Sequence, residues 1–165
     1  MTNVLCDRSG AATEAAKEGV PSIAFSGSSG SQVSYTTLST SSSSTTASNV
    51  YAALSTKLTQ TLLASGAPFL PRNITLNVNY PSTSGSCSSA SSFKFILTRI
   101  NSASSSTPND VTTCGTSRLP TENSVVGSSG CLASVSVMNA TTKGDVDANT
   151  QAVVLSKLTS ILSCK

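Results

Sequence analysis

Residues 10–27, GAATEAAKEGVPSIAFSG, decide the fold class of this 165-residue chain. AATEAAKEG (residues 11–19) is dense in strong helix formers, and Gly19 ahead of Pro21 is a stop signal. PSIAFSG then runs apolar for the length of one strand, the pattern of a parallel strand covered on both faces. A short helix feeding a buried strand is an interior unit of an α/β sheet. Only MTNVLCDRS precedes it, so the expectation is a chain that enters its fold midway.

Outward from that unit, SGSSGSQ is expected to be a flexible loop and STSSSSTTAS (residues 39–48) an exposed low-complexity connection. From Asn49 to Gly66 the pattern is helical. Asn49 is placed to cap, Val50, Leu54, Leu58 and Leu62 recur at i+4, and Gly66 ends the run. NITLNVNYP alternates Ile74, Leu76, Val78 and Tyr80 with polar residues and reads as a half-buried strand. FKFILTRI (93–100) and LASVSVMN (132–139) are further strands, and the serine-rich stretch around Cys87 is a loop that a disulfide would tether. Residues 101–130, punctuated by Pro108, Pro120 and three glycines, read mostly as loop. Residues 145–164 read as an acidic turn and an amphipathic helix through Val154, Leu158, Ile161 and Leu162, with Asp145 and Asp147 at its amino end.

Composition narrows the chemistry. Charged residues make up 10% of the chain and aromatics 4%, and the net charge of +3 is scattered, which argues against a nucleic-acid surface. No segment has the length of a transmembrane helix, and MTNVLCDRSG lacks the apolar core of a signal peptide. The sequons NIT at Asn73 and NAT at Asn139, with dispersed cysteines, point instead to an oxidising, secretory setting. That setting requires a leader outside these residues. Setting aside Cys6, four cysteines remain. Cys87–Cys114 with Cys131–Cys164 is the expected pairing, each bridge contributing about 3 kcal/mol, with the other two connectivities and free thiols left open.

The chain has no histidine, which excludes Ser-His-Asp and Cys-His catalysis and an ordinary zinc site, and it has no GxSxG elbow. GSSGS lacks the lysine and spacing of a phosphate-binding loop. Glu14 and Glu18 share a helix face with Lys17 and read as solvated surface. Asp145 and Asp147 suit a hard cation, but helix capping explains them more simply. What keeps functional interest is the helix start at SGAA. Its backbone N–H groups and positive dipole end suit an anion, with Ser9 and Gly10 at the mouth; capping by Ser9 is the simpler reading.

The whole order resembles one family. GAATEAAKEGVPSIAFSG, YAALSTKLTQTLL, LPRNITLNVNYP, FKFILTRI and CLASVSVMNATTKGDVDANTQAVVLSKL are similar, in sequence order, to the SurE-like phosphatases and nucleotidases. The likeness is greatest to their secreted, serine-rich acid-phosphatase branch and runs from about Gly10 to Cys164. The resemblance implies a Rossmann-like three-layer α/β domain over residues 11–165, with residues 1–10 as an atypical segment. It further implies hydrolysis of phosphomonoesters with a divalent metal, Mg²⁺ or Mn²⁺, a secreted location, no nucleic-acid polymer or membrane as partner, and a possible homodimer.

In the family an Asp-Asp pair holds the metal, and S-G-T opens the phosphate-binding helix. This sequence has no N-D-D string and lacks the threonine, so only Ser9 and Gly10 carry over as an anion site. No catalytic residue and no metal ligand is assigned. The domain is therefore expected to be partial, its N-terminal half missing, and inactive by itself. A secreted, disulfide-stapled binding or cell-wall-associated protein is the alternative.

Overall fold

The computed structural model describes residues 9–37 and 42–165. In chain order the elements are α1 (Gly10–Lys17), β1 (Ser22–Gly27), α2 (Ser43–Ala64), β2 (Ile74–Tyr80), β3 (Lys94–Thr98), α3 (Glu122–Val126), β4 (Leu132–Asn139) and α4 (Ala148–Leu158). The four strands form one mixed sheet in the order β1-β2-β4-β3. β1 is parallel to β2, β2 antiparallel to β4, and β3 parallel to β4. Helices cover both faces, so the chain has an α/β fold.

Strand alternation assigns the two faces different jobs. Leu76, Val78 and Tyr80 of β2, Phe95 and Leu97 of β3, and Ala133, Val135 and Val137 of β4 share one core with the inner faces of α2 and α4. In α2 those are Val50, Leu54, Leu58 and Leu62; in α4, Val154 and Leu158. Each buried leucine of this kind contributes about 1.5–3 kcal/mol. The opposite face carries Ser22 and Ser26, Thr75, Asn77 and Asn79, Ser134 and Ser136, and Thr98. There α1 packs on β1 and β2, and α3 on β4.

α1 ends as its sequence requires. Gly19 takes φ +83°, and the N–H groups of Gly19 and Val20 return to Ala16 O and Ala15 O. α2 starts earlier than its helix propensities suggest. Ser42 caps it by accepting from Thr45 N at 3.0 Å, and residues 43–48 are helix rather than exposed connection. Ala47, 1% exposed, extends the apolar stripe by one turn, so tertiary burial overrides the weak propensity of the serine and threonine run. β2 is buried at every position, not half-buried, because its polar face lies beneath α1 and α3.

The 101–130 stretch contains the short α3, capped by Thr121, whose Oγ1 accepts from Ser124 N. The rest of the stretch is held by an ionic hub. Arg99 donates to Asp110 Oδ2 at 2.9 Å and to Asp145 Oδ2 at 3.4 Å, while Gln151 Nε2 donates to Asp110 Oδ1 at 2.9 Å. Leu119 N and Arg118 also donate to Asp110 Oδ2. Asp145 is not a helix cap: it accepts from the backbone N–H groups of Ile100 and Asn101, tying the end of β3 to the approach to α4. Asp147 is the cap, accepting from Asn149 N and Thr150 N, and those bonds hold its carboxyl below the usual range. The final helix ends at Leu158. Ile161 and Leu162 pack on the core beyond it, and Ser163 N donates to Phe95 O along the outer edge of β3.

The disulfides are Cys87–Cys131 and Cys114–Cys164, which corrects the expected Cys87–Cys114 and Cys131–Cys164 pairing. The reason is strand order. β4 inserts between β2 and β3, so Cys131, immediately before β4, lies beside the segment leaving β2, with Cα atoms 5.3 Å apart. The remaining bridge ties the tip of the long loop to the C-terminal segment, Cα to Cα 5.6 Å. Cys6 lies outside the described residues. The two bridges are compatible with an extracellular protein. Among the described residues no helix is long and apolar enough to cross a membrane.

Candidate functional site

The candidate anion end is the start of α1. Ser9 occupies the N-cap position and is buried, but its backbone is already helical (φ −80°, ψ −10°) and its side chain makes no cap hydrogen bond. The first turn closes through Thr13, whose N donates to Ser9 O at 2.8 Å and whose Oγ1 donates to Gly10 O at 2.9 Å. Gly10 has open space at its Cα: among the described residues no heavy atom lies within 4 Å of an added Cβ. α1 is fastened to the polar face by Ser22 Oγ, which donates to Ala12 O at 2.7 Å. The leading N–H groups of α1 have no partner within the helix, and the helix lies across β1 and β2.

The polar face beneath is a hydrogen-bonded lattice spanning all four strands. Ser22 and Thr75 exchange bonds at 3.0 and 2.9 Å. Ser26 donates to Asn79 Oδ1, and Asn79 Nδ2 reaches Ser134 Oγ at 3.4 Å. Asn77 Nδ2 and Ser136 Oγ donate to Glu122 Oε2 at 2.9 and 3.0 Å, and Thr98 pairs with Ser136 at 2.7 Å. Burial pushes the Glu122 carboxyl up from its ordinary value, the two hydrogen bonds oppose that, and the negative Asp145 adds to it. Sequence reasoning missed Glu122, Asn77 and Asn79. The signal was present in the Thr-x-Asn-x-Asn alternation of β2, where three polar side chains share one face.

The end of β1 and the first residues of the loop after it form a packing joint. A Cβ on Gly27 would lie 2.3, 2.7 and 2.8 Å from three ring atoms of Tyr51, so only glycine fits there. Tyr51 Oη accepts from Ser29 N and donates to Pro81 O, both at 2.9 Å, and its ring stacks on Tyr80, which stacks on Phe25. Ser28 and Ser29 then bond Tyr80 O and Ser82 Oγ. These bonds tie the exits of β1 and β2 together.

The described carboxylates Asp110, Glu122 and Asp147 are engaged by protein partners and stand apart from one another. Among the described residues no group of three or more Asp, Glu, His or Cys stands close enough to hold one. The carboxylates that are buried already face Arg99, Arg118, Gln151, Asn77 and Ser136. Asp145 and Asp147 serve different partners and form no pair. Glu14 pairs with Lys17 at 3.3 Å on the surface, as the solvated-face reading expects. Asp7 lies outside the described residues. A groove of about 470 Å³ runs beside the outer edge of β1, lined by Ile23, Phe25, Leu62, Leu63 and Phe69 among others; neither Ser9 nor Gly10 lines it.

The family model described as survival protein SurE matches residues 8–107, from the mouth of α1 through β3. The remainder of the likeness, through Cys164, lies beyond the matched residues. No curated protein and no solved structure matches the chain. The match covers more than half of the residues and includes the helix–strand unit that set the fold class: the chain belongs to the SurE family.

Proposed function

We propose that this chain is a phosphomonoester-binding domain of the SurE phosphatase and nucleotidase type, which supplies the anion-binding helix and not the metal-binding carboxylates. The observation that carries the reading is the family match over residues 8–107, which spans the whole of α1 and its landing strand β1. The start of α1 would take the phosphate through its leading N–H groups, with Ser9 and Gly10 at the opening, because a helix amino end holds partial positive charge and unpaired donors. In such enzymes a divalent metal polarises the phosphate and activates water. The donor set described here does not fit that ion, so no hydrolytic step is assigned to these residues. By itself the chain is expected to bind a nucleoside monophosphate without turning it over.

Titration calorimetry with a nucleoside monophosphate tests the binding claim, with Gly10→Asp as the diagnostic variant. The space around Gly10 admits a side chain, and a carboxylate in the first turn favours the helix, so the variant should fold. Its charge should repel the phosphate and weaken binding by about tenfold or more, roughly 1.4 kcal/mol. Equal binding by Gly10→Asp and the natural chain would refute this placement.

A further inference from the structure

The two sequon asparagines, 66 residues apart in sequence, stand together where β2 begins and β4 ends, and their amides have different duties. Asn139 Oδ1 accepts from Thr141 N at 2.9 Å and from Thr142 N at 3.0 Å. Backbone N–H donors can face only an oxygen, so this amide has one orientation. Its Nδ2 is thereby turned the other way and makes no hydrogen bond among the described residues. The neighbours Thr141, Thr142 and Lys143 are exposed.

Asn73 is engaged on both amide atoms. Its Nδ2 donates to Asn139 Oδ1 at 3.4 Å, and its Oδ1 accepts from Thr141 Oγ1 at 3.1 Å. Its backbone takes the left-handed conformation, φ +60°, which asparagine tolerates better than most residues, and its carbonyl accepts from Ala140 N at 2.9 Å. The next residue enters the fully buried β2.

From this difference we infer that Asn139, and not Asn73, is the asparagine that carries an N-linked glycan on the folded, secreted protein. In the transfer, Asn139 Nδ2 forms the bond to the anomeric carbon of a lipid-linked oligosaccharyl diphosphate. The carbon–oxygen bond to the diphosphate breaks, and one Nδ2 proton is lost. Once the chain has folded, the glycosylated Asn139 still accepts from Thr141 N and Thr142 N through its oxygen, and the sugar leaves on the Nδ2 side. A sugar on Asn73 would instead stand against Asn139 and Thr141 and disrupt the clamp between β2 and β4. Because transfer precedes folding, the structure acts as a selector: chains modified at Asn73 fold poorly and are retained. The inference is independent of the phosphate-binding reading.

The test is expression of the full chain behind a secretion leader in yeast, with peptide mapping and intact mass of the secreted material before and after peptide N-glycosidase. One glycan at Asn139, with Asn73 bare, is expected. Asn139→Gln and Thr141→Ala should each lose the glycan, Thr141→Ser should retain it, and Asn73→Gln should leave Asn139 occupied. If a variant is not secreted, mapping of the natural chain decides alone. A secreted, folded chain with sugar at Asn73, at both asparagines or at neither overturns the inference.

Discussion

Replacing Gly27 by alanine should cost far more than one methyl group suggests. The added Cβ would lie 2.3 Å from Cε2 of Tyr51, with two more ring atoms inside 3 Å. The ring has little freedom to yield. Its hydroxyl is held by Ser29 N and Pro81 O, and its face lies on Tyr80 with centroids 5.3 Å apart and planes 13° from parallel. Forcing a methyl into a packed site costs about 1–3 kcal/mol, and swinging the ring out instead forfeits two hydrogen bonds at about 1 kcal/mol each. The two routes together bracket a loss of about 1–3 kcal/mol, a fall in Tm of roughly 2–12 °C for a domain of this size. Thermal unfolding followed by circular dichroism reads it. The decisive comparison is Gly27→Ala placed on Tyr51→Ala, where the obstacle is gone and alanine should be neutral or slightly stabilising in a strand. A single variant melting with the natural protein, or the same loss in both backgrounds, would refute the reasoning.

Asp110→Ala removes the acceptor shared by Arg99, Arg118, Leu119 N and Gln151 and leaves Arg99 buried; urea unfolding should show a loss of about 3–5 kcal/mol. Glu122 has a folded pKa raised above its ordinary 4.5, so its contribution is full below the unfolded value and fades as pH rises through the folded one. Glu122→Gln keeps a hydrogen-bonding group without the ionisation, so its Tm should gain on the natural protein as pH rises from about 4 to about 8; parallel curves would contradict the burial argument. Non-reducing peptide mapping should recover Cys87–Cys131 and Cys114–Cys164, and Cys87→Ser with Cys131→Ser should cost about 4 kcal/mol for a closed loop of 44 residues.

Much of the fold could be read from local pattern. The Ala-rich helix with its Gly19 stop, the run through Ile23 and Phe25, and the strand over 132–139 depend on propensity and burial that neighbouring residues reveal. α2 was harder, because the worth of Ala47 depends on the core it meets and not on the serines around it. The cysteine pairing failed for a related reason: β4 inserts between earlier strands, and no spacing between cysteines records that insertion. The ionic hub was also hidden. Arg99 and Asp110 lie more than thirty residues from Asp145 and Gln151, and each is unremarkable one at a time. At the candidate site, Ser9 and Gly10 could be proposed because a helix start is a local feature with a local signature. Glu122 could not, since a carboxylate in a serine-rich loop looks solvated until Asn77 and Ser136 arrive from two strands.

On the proposed reading α1 binds phosphate, while the described residues lack the metal donors for hydrolysis. The direct measurement is phosphate release from a nucleoside monophosphate by the purified chain with Mg²⁺ or Mn²⁺ added. No release above the protein-free background is predicted, while calorimetry under the same conditions shows binding that Gly10→Asp weakens. Metal-dependent release that a chelator abolishes would contradict it.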